Sequence, residues 1–387
     1  MVDRRTFLAS TSGAALAALP MRRLFSTYAD LDSPLDALGD RQGSDPLRSM
    51  IVVNGLGGLD EGYAPPPPGP HVLASPGALA AAHASGMTAI NMTVASGNDF
   101  ESAIESIGTF DDFIRAHPHD LLKVFTIADI QRAKAEKKVG IIYGFQNAAM
   151  VGDKAARVDT FANLGVRCIQ LTYNPLNQLG GGSMAPGDPG LTPFGREVVE
   201  RLNARRVMVD LSHSGHQLCV DAARASSAPV SINHAGCKAI VDVPRNKTDE
   251  ELKLVADKGG YVGIYFMMFV AQGRMSTVDD VVTHIEHAID VCGEDHVGIG
   301  SDYGIVDLGD MQGVRDFWAN FVKDRVAKNI AAAGEDPNLL PFSQGLVGPE
   351  QFRNLYRALS KRRFRTATIE KVMGQNYLRF AKEIWGA

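Results

Sequence analysis

The chain has 387 residues, of which 45% are hydrophobic and 21% charged, with a formal net charge of −5. That composition suits a globular core. The scattered Lys and Arg residues give no clustered basic face, which argues against nucleic acid as a partner. No apolar run approaches the roughly 20 residues that a membrane-spanning helix needs.

The N-terminus reads "MVDRRTFLASTSGAALAALP", with Arg4-Arg5 followed by Phe7-Leu8, a short Ala-rich stretch and a small-residue cleavage site at Ala15-Leu16-Ala17. This pattern is that of a twin-arginine export signal over residues 1–30, and it predicts a periplasmic or exported protein. The other reading is a disordered arm on a cytoplasmic protein. Residues 45–387 are expected to form a single catalytic domain. The four cysteines (Cys168, Cys219, Cys237, Cys292) form no C-x-x-C pair and are read as buried free thiols.

Eight short β-branched runs follow in order, at 50–55, 87–94, 139–146, 166–174, 206–213, 229–234, 260–267 and 296–302. Most alternate with segments of helical period, such as "GALAAAHASG", "ADIQRAKAEKK", "GREVVERLNARR", "GHQLCVDAARAS", "TDEELKLVADKG" and "VDDVVTHIEHAIDVCG". Continuous apolar strands alternating with helices define an α/β protein with a buried parallel sheet. Eight units in about 250 residues suit a (β/α)8 TIM-type barrel. No G-x-G-x-x-G follows the first strand, so a dinucleotide fold has little support. The run "YAPPPPGPH" (63–71) reads as a stiff extended loop. The stretch 303–348, with its helical "VRDFWANFVKDRVAKNIAAAG", is placed to form a lid. "GPEQFRNLYRALSKR" and "TIEKVMGQNYLRFAKEIW" read as two amphipathic closing helices.

In a parallel barrel, chemistry gathers at the carboxyl ends of the strands. Those ends carry Gln146, Tyr173, His213, His234 and Asp302. His213 and His234 are one βα unit apart, which puts two imidazoles on one rim, a start for a divalent metal. Asp302 closes "VGIGSD", where a carboxylate can move a proton between an attacking water and a leaving amine. Arg245, in "DVPRNKTDE", is placed to clamp a substrate carboxylate, with a surface salt bridge as its bland reading. His284 and His287 fall inside a helix and are assigned to or near its solvent face.

The segments "GLTPFGREVVERLNARRVMVDLSHSG", "PVSINHAGCKAIVDVPRNKTDEELKLVADKGGYVGIYF", "VVTHIEHAIDVCGEDHVGIGSDYG" and "IEKVMGQNYLRF" closely resemble the membrane (renal-type) dipeptidase family of metallopeptidases, from about residue 50 to the C-terminus. The resemblance implies an amidohydrolase-like barrel with two zinc ions that hydrolyses dipeptides and tolerates D-configured residues at the carboxyl side. It makes His213 and His234 zinc ligands, Asp302 the catalytic aspartate and Arg245 the carboxylate clamp. Tyr173 stands where the family usually has a carbonyl-polarising histidine, and it too can donate to an oxyanion. Asn174 and Gln146 beside it are expected to touch substrate.

The chain departs from the family at the metals. The family's first strand ends D-G-H-x-D, whereas here it is Asn54, Gly55, Leu56, Gly57, Gly58. The bridging glutamate is matched by Gln146, and a second acid after the GSD strand by Gly304. A neutral amide is a weak zinc ligand. The expectation is one zinc at most, on His213, His234 and either Asp302 or Gln146, or a pocket with none. The leading reading is hydrolysis of a dipeptide or related small amide that bears a carboxylate. The alternatives are a metal-independent isomerase, epimerase or lyase acting on a carboxylate-bearing molecule, or a non-catalytic binder. The outer helices leave room for a homodimer.

Overall fold

A computed structural model describes residues 45–59, 73–97 and 99–386. The export segment 1–30 and the proline run 63–71 lie outside them. Among the described residues nine strands form one sheet: β1 (Val53–Gly57), β2 (Ala89–Ala95), β3 (Leu121–Lys123), β4 (Val139–Phe145), β5 (Val166–Gln170), β6 (Met208–Asp210), β7 (Ser231–Ala235), β8 (Tyr261–Ile264) and β9 (Val297–Ile299). Around them run α1 (Pro76–Ala84), α2 (Phe100–Ala116), α3 (Ile127–Glu136), α4 (Arg157–Asn163), α5 (Pro193–Ala204), α6 (His216–Ala225), α7 (Asp249–Asp257) and α8 (Val278–Cys292). Then come α9 (Met311–Ala327), α10 (Gln351–Lys361), α11 (Thr366–Glu370) and α12 (Asn376–Trp385).

The strands are apolar on both faces, so they are stable only when covered on both sides, and the helices do this from outside. Helix starts are set by local chemistry. Ser75 and Thr192 cap α1 and α5 with a proline in the first turn. Thr126–Asp129, Thr248–Glu251 and Thr277–Asp280 form capping boxes on α3, α7 and α8.

The eight expected strands are all present and pair in parallel in the order β1-β2-β4-β5-β6-β7-β8-β9. The barrel closes through the Asp302 N–H, which donates to the Leu56 carbonyl at 2.9 Å, and the Gly58 N–H, which donates to the Tyr303 carbonyl at 3.2 Å. Asn54 adds a side-chain staple: its Oδ1 accepts from the Ser301 N–H and its Nδ2 donates to Ser301 Oγ, both at 2.7 Å. β3 was not anticipated. Three residues carry no period, and it pairs only with the lower half of β4, below the point where β5 takes over that edge.

The two ends of the barrel are built differently. At the amino ends of the strands, Tyr377, Phe380, Ile384 and Trp385 of α12 pack with Val53, Ala89, Met208 and Tyr261 and plug the barrel. A π-helical turn at Lys371–Gln375 joins α11 to α12, so the second closing helix is one broken element. At the carboxyl ends, the expected lid is α9 and the loop after it. Asn174 Nδ2 donates to the Ile330 carbonyl at 3.1 Å, and the returning chain bonds the end of β8 through Met268 N–H to the Pro341 carbonyl at 2.9 Å. None of the four cysteines is paired.

Candidate active site

β6 is short because Asp210 ends it. Its buried carboxylate accepts from the Ser212 N–H (3.1 Å), from Ser212 Oγ (2.5 Å) and from the Asn233 N–H on β7 (3.0 Å). Ser212 Oγ in turn accepts from the His234 N–H at 3.1 Å. This knot holds the tips of β6 and β7 together and sets the imidazoles of His213 and His234 side by side, 5.0 Å between ring centroids and inclined at 59°. Glycine keeps the strands close beneath them: a Cβ at Gly263 or Gly300 would lie 2.0 Å from the Asn233 carbonyl oxygen.

Both histidines are buried and neutral. Burial penalises the charged ring and the nearby Arg245 guanidinium opposes it further, so both pKa values fall well below the ordinary imidazole range. His213 Nδ1 lies 2.7 Å from Asn174 Oδ1. Its Nε2, and both ring nitrogens of His234, have no protein partner. Leaving a buried polar atom unpaired costs about 1–3 kcal/mol, which marks these nitrogens as the side presented to a ligand.

Arg245 is 2% exposed. Its Nη1 donates to the Ser212 carbonyl at 2.7 Å, while Nη2 has no partner. The salt-bridge reading therefore fails: no carboxylate pairs with Arg245 among the described residues. The loop carrying it is held by Asn246 Nδ2, which donates to the Val241 and Phe269 carbonyls at 2.8 and 3.0 Å. Asp302 sits at φ 55°, a left-handed conformation held by its N–H bond to Leu56. Burial pushes its carboxyl up to about 6, against the pull of Arg245, Arg325 and a hydrogen bond from Gln146. Tyr173 stacks on His213, with ring centroids 4.3 Å apart and planes at 21°.

The structure thus brings Tyr173, Asn174, His213, His234, Arg245, Gln146 and Asp302 to one mouth. Asn174 commits its amide to His213 and Ile330. The sequence did not point to Arg325, which reaches the mouth from α9. Glu335 holds it through two bonds of 2.8 Å, and its guanidinium carbon lies 6.0 Å from the Tyr173 ring centre. Its helix was read as a lid, but no motif marks which of that helix's charged side chains turns into the mouth, 152 residues beyond Tyr173. Asp210 and Ser212 were also missed, although an acid two residues before Ser-His at a strand end is a legible turn signal. His284 is not at the solvent face. It is buried, with Nδ1 accepting from the Cys237 N–H at 2.8 Å and Nε2 3.1 Å from the Val270 carbonyl.

A two-metal centre does not fit these residues. The tip of β1 offers buried Leu56 and two glycines, Asn54 is committed to Ser301, and Gln146 is neutral and bonded to Asp302. Among the described residues no three His, Cys, Asp or Glu side chains gather as metal ligands. Among the described residues, His213 and His234 are the histidines whose buried ring nitrogens have no protein partner.

A plugged parallel barrel with a polar carboxyl-end rim and a lid is the build of the amidohydrolase-like hydrolases, and comparison with known proteins agrees. The model of the membrane dipeptidase family, peptidase family M19, matches residues 75–333, and the chain belongs to that family of hydrolases. It is 32% identical to an amidohydrolase from Pseudomonas aeruginosa, with a TM-score of 0.76, covering 88% of this chain and 98% of that one. A metallopeptidase from Rhodobacter sphaeroides, solved with a phosphinate mimic of the dipeptide L-Ala-D-Ala, shares the fold at TM-score 0.68 and 20% identity, covering 87% of this chain and 99% of that one. The dipeptidase tcpJ of Claviceps purpurea is 26% identical over 74% of this chain, which spans 63% of its length.

Proposed function

We propose that this mouth hydrolyses a dipeptide or related small amide whose free carboxylate is held by Arg245, with at most one metal ion at His213 and His234. The carrying observation is the buried, unpartnered Nη2 of Arg245, set close enough to His213, His234 and Asp302 to bias the charge of all three. A guanidinium held by one carbonyl keeps its other edge for a bidentate anion.

His213 Nε2 and a ring nitrogen of His234 would hold the ion, which when bound supplies polarisation of the carbonyl and an acidified water. The chain's own groups divide the remaining work. Arg245 fixes the carboxylate and so the register of the scissile bond. Asp302, with its carboxyl near 6, takes a proton from water and returns it to the leaving nitrogen. Tyr173, stacked on His213 and backed by Arg325, donates to the developing oxyanion. The twin-arginine pattern makes this an exported enzyme in the same reading.

The second reading is metal-independent acid/base chemistry on a carboxylate-bearing molecule. It is favoured by the loss of donors at Leu56, Gly58 and Gln146 while the rest of the rim stays polar. Elemental analysis of protein purified without chelator, alongside an L-L and L-D dipeptide panel, separates the two. About one ion per chain, with turnover abolished by chelation, supports hydrolysis at a half-site. No hydrolysis after zinc is restored overturns it.

A further inference from the structure

Asn174 stands where the lid meets the rim. Its side chain is buried, and its backbone is fixed by its carbonyl, which accepts from the Met184 N–H at 2.8 Å. One end of its amide is 3.1 Å from the Ile330 carbonyl, in the loop after α9, and the other is 2.7 Å from His213 Nδ1. A carbonyl oxygen can only accept, so the end facing Ile330 must be the NH2 group. The other end is then the oxygen, which also only accepts, so the proton of the neutral imidazole must sit on Nδ1. A neutral ring carries one N–H, so Nε2 is left as a bare lone pair. That is the His213 nitrogen without a protein partner.

The Ile330 carbonyl is itself held in place. Arg325 Nη2 donates to it at 3.1 Å while the same guanidinium is clasped by Glu335, whose carboxylate also accepts from the Ala332 N–H at 2.9 Å. The lid therefore presents a fixed acceptor, and Asn174 translates it into a choice between two tautomers of the rim histidine.

We propose that Asn174 is a positioning residue that couples docking of the lid loop around Ile330 to the tautomer of His213, so that Nε2 offers a lone pair to the mouth only when the loop is seated. With the loop seated the amide cannot turn. Released, it can present either end, and the ring loses its preference. The same logic serves a metal, a water or a substrate proton at Nε2, since ring nitrogens are set by the bond made at the other nitrogen. The proposal rests on the functional reading only in placing His213 at the mouth. The tautomer is read without turnover, so the two fail separately.

The test is nitrogen NMR of histidine-labelled full-length protein above the imidazole titration range, with the His213 signal assigned through His213→Gln. Wild type is expected to show a protonated Nδ1 and a bare Nε2. Asn174→Asp keeps the acceptor and loses the donor, so the tautomer stays while amide exchange at 328–334 speeds up. Asn174→Leu loses both, so the second tautomer appears and exchange speeds up. A wild-type signal with the proton on Nε2, an Asn174→Leu spectrum identical to wild type, or Asn174→Asp with unchanged exchange overturns the coupling. If Asn174→Leu does not fold, the Asn174→Asp pair of readings decides alone.

Discussion

The rim of the barrel has two halves that meet the same mouth with opposite chemistry. On the β6–β7 side each tip ends in a buried imidazole, and the carboxylate of Asp210 beneath them ties the two strands together. On the β1–β4 side the tips end in Leu56, Gly57, Gly58 and the neutral Gln146. Yet β1 is held as firmly as β6, because its hydrogen bonds run to Ser301, Asp302 and Tyr303 rather than to any ligand. In this barrel the groups that secure a strand are separate from those that do chemistry at its tip, so one half of a site can change without loss of the fold.

The sharpest way to break that contrast is at Asp302, the acid that the described residues bring to the rim. Asp302→Asn should lower kcat by about 10²–10⁴-fold, the span of general acid–base catalysis, with binding of a product-like carboxylate retained in calorimetry. Arg245→Met comes next. Truncating one partner of a buried charge pair costs about 2–5 kcal/mol, so kcat/KM should fall by at least about tenfold, with KM carrying much of it. Metal stoichiometry tests the stripped half directly. The wild-type chain should hold one ion or none, and Leu56→His with Gly58→Asp and Gln146→Glu should raise the count in elemental analysis. An unchanged count would mean that more than donors separates the halves.

Stability gives the smaller effects. Asn54→Ala orphans the buried Ser301 N–H and should cost about 1–3 kcal/mol in urea unfolding, with no change in metal content. The gentlest signal is in pH. His213 and His234 have folded pKa values depressed below 6.5, so the stability they contribute is present above that value and lost as pH falls. His284, lowered to about 4, adds to the same slope. Asp302 works the other way: raised from 3.8 to about 6, its contribution is present at low pH and lost as pH rises through that window. The melting temperature of metal-free protein should fall below pH 6.5, and Asp302→Asn should steepen that fall between about 4 and 6.

Much of this was legible in the chain. Eight β-branched runs, most of them separated by segments of helical period, are enough for a barrel, because a strand that is apolar on both faces has few other places to go. Polar residues at the ends of those runs located the mouth, since strand direction alone decides which end they share. Three things were hidden. β3 is too short to show a period. Arg325 reaches the site from the helix read as a lid, but only tertiary packing decides which of its charged side chains turns inward. His284 was misplaced because one helical position decides between solvent and the bond it makes to Cys237.

The Asn54–Ser301 staple joins positions 247 residues apart. Until β9 is synthesised and docked, β1 is an edge strand with bare backbone groups and an unsatisfied amide, the kind of edge that pairs with a neighbouring chain. Closure over so long a loop comes late and slowly. The staple is therefore also a clock: the period before it forms is when this protein is most exposed to aggregation, and variants that weaken it should be lost to misassembly during synthesis before they are lost to instability once folded.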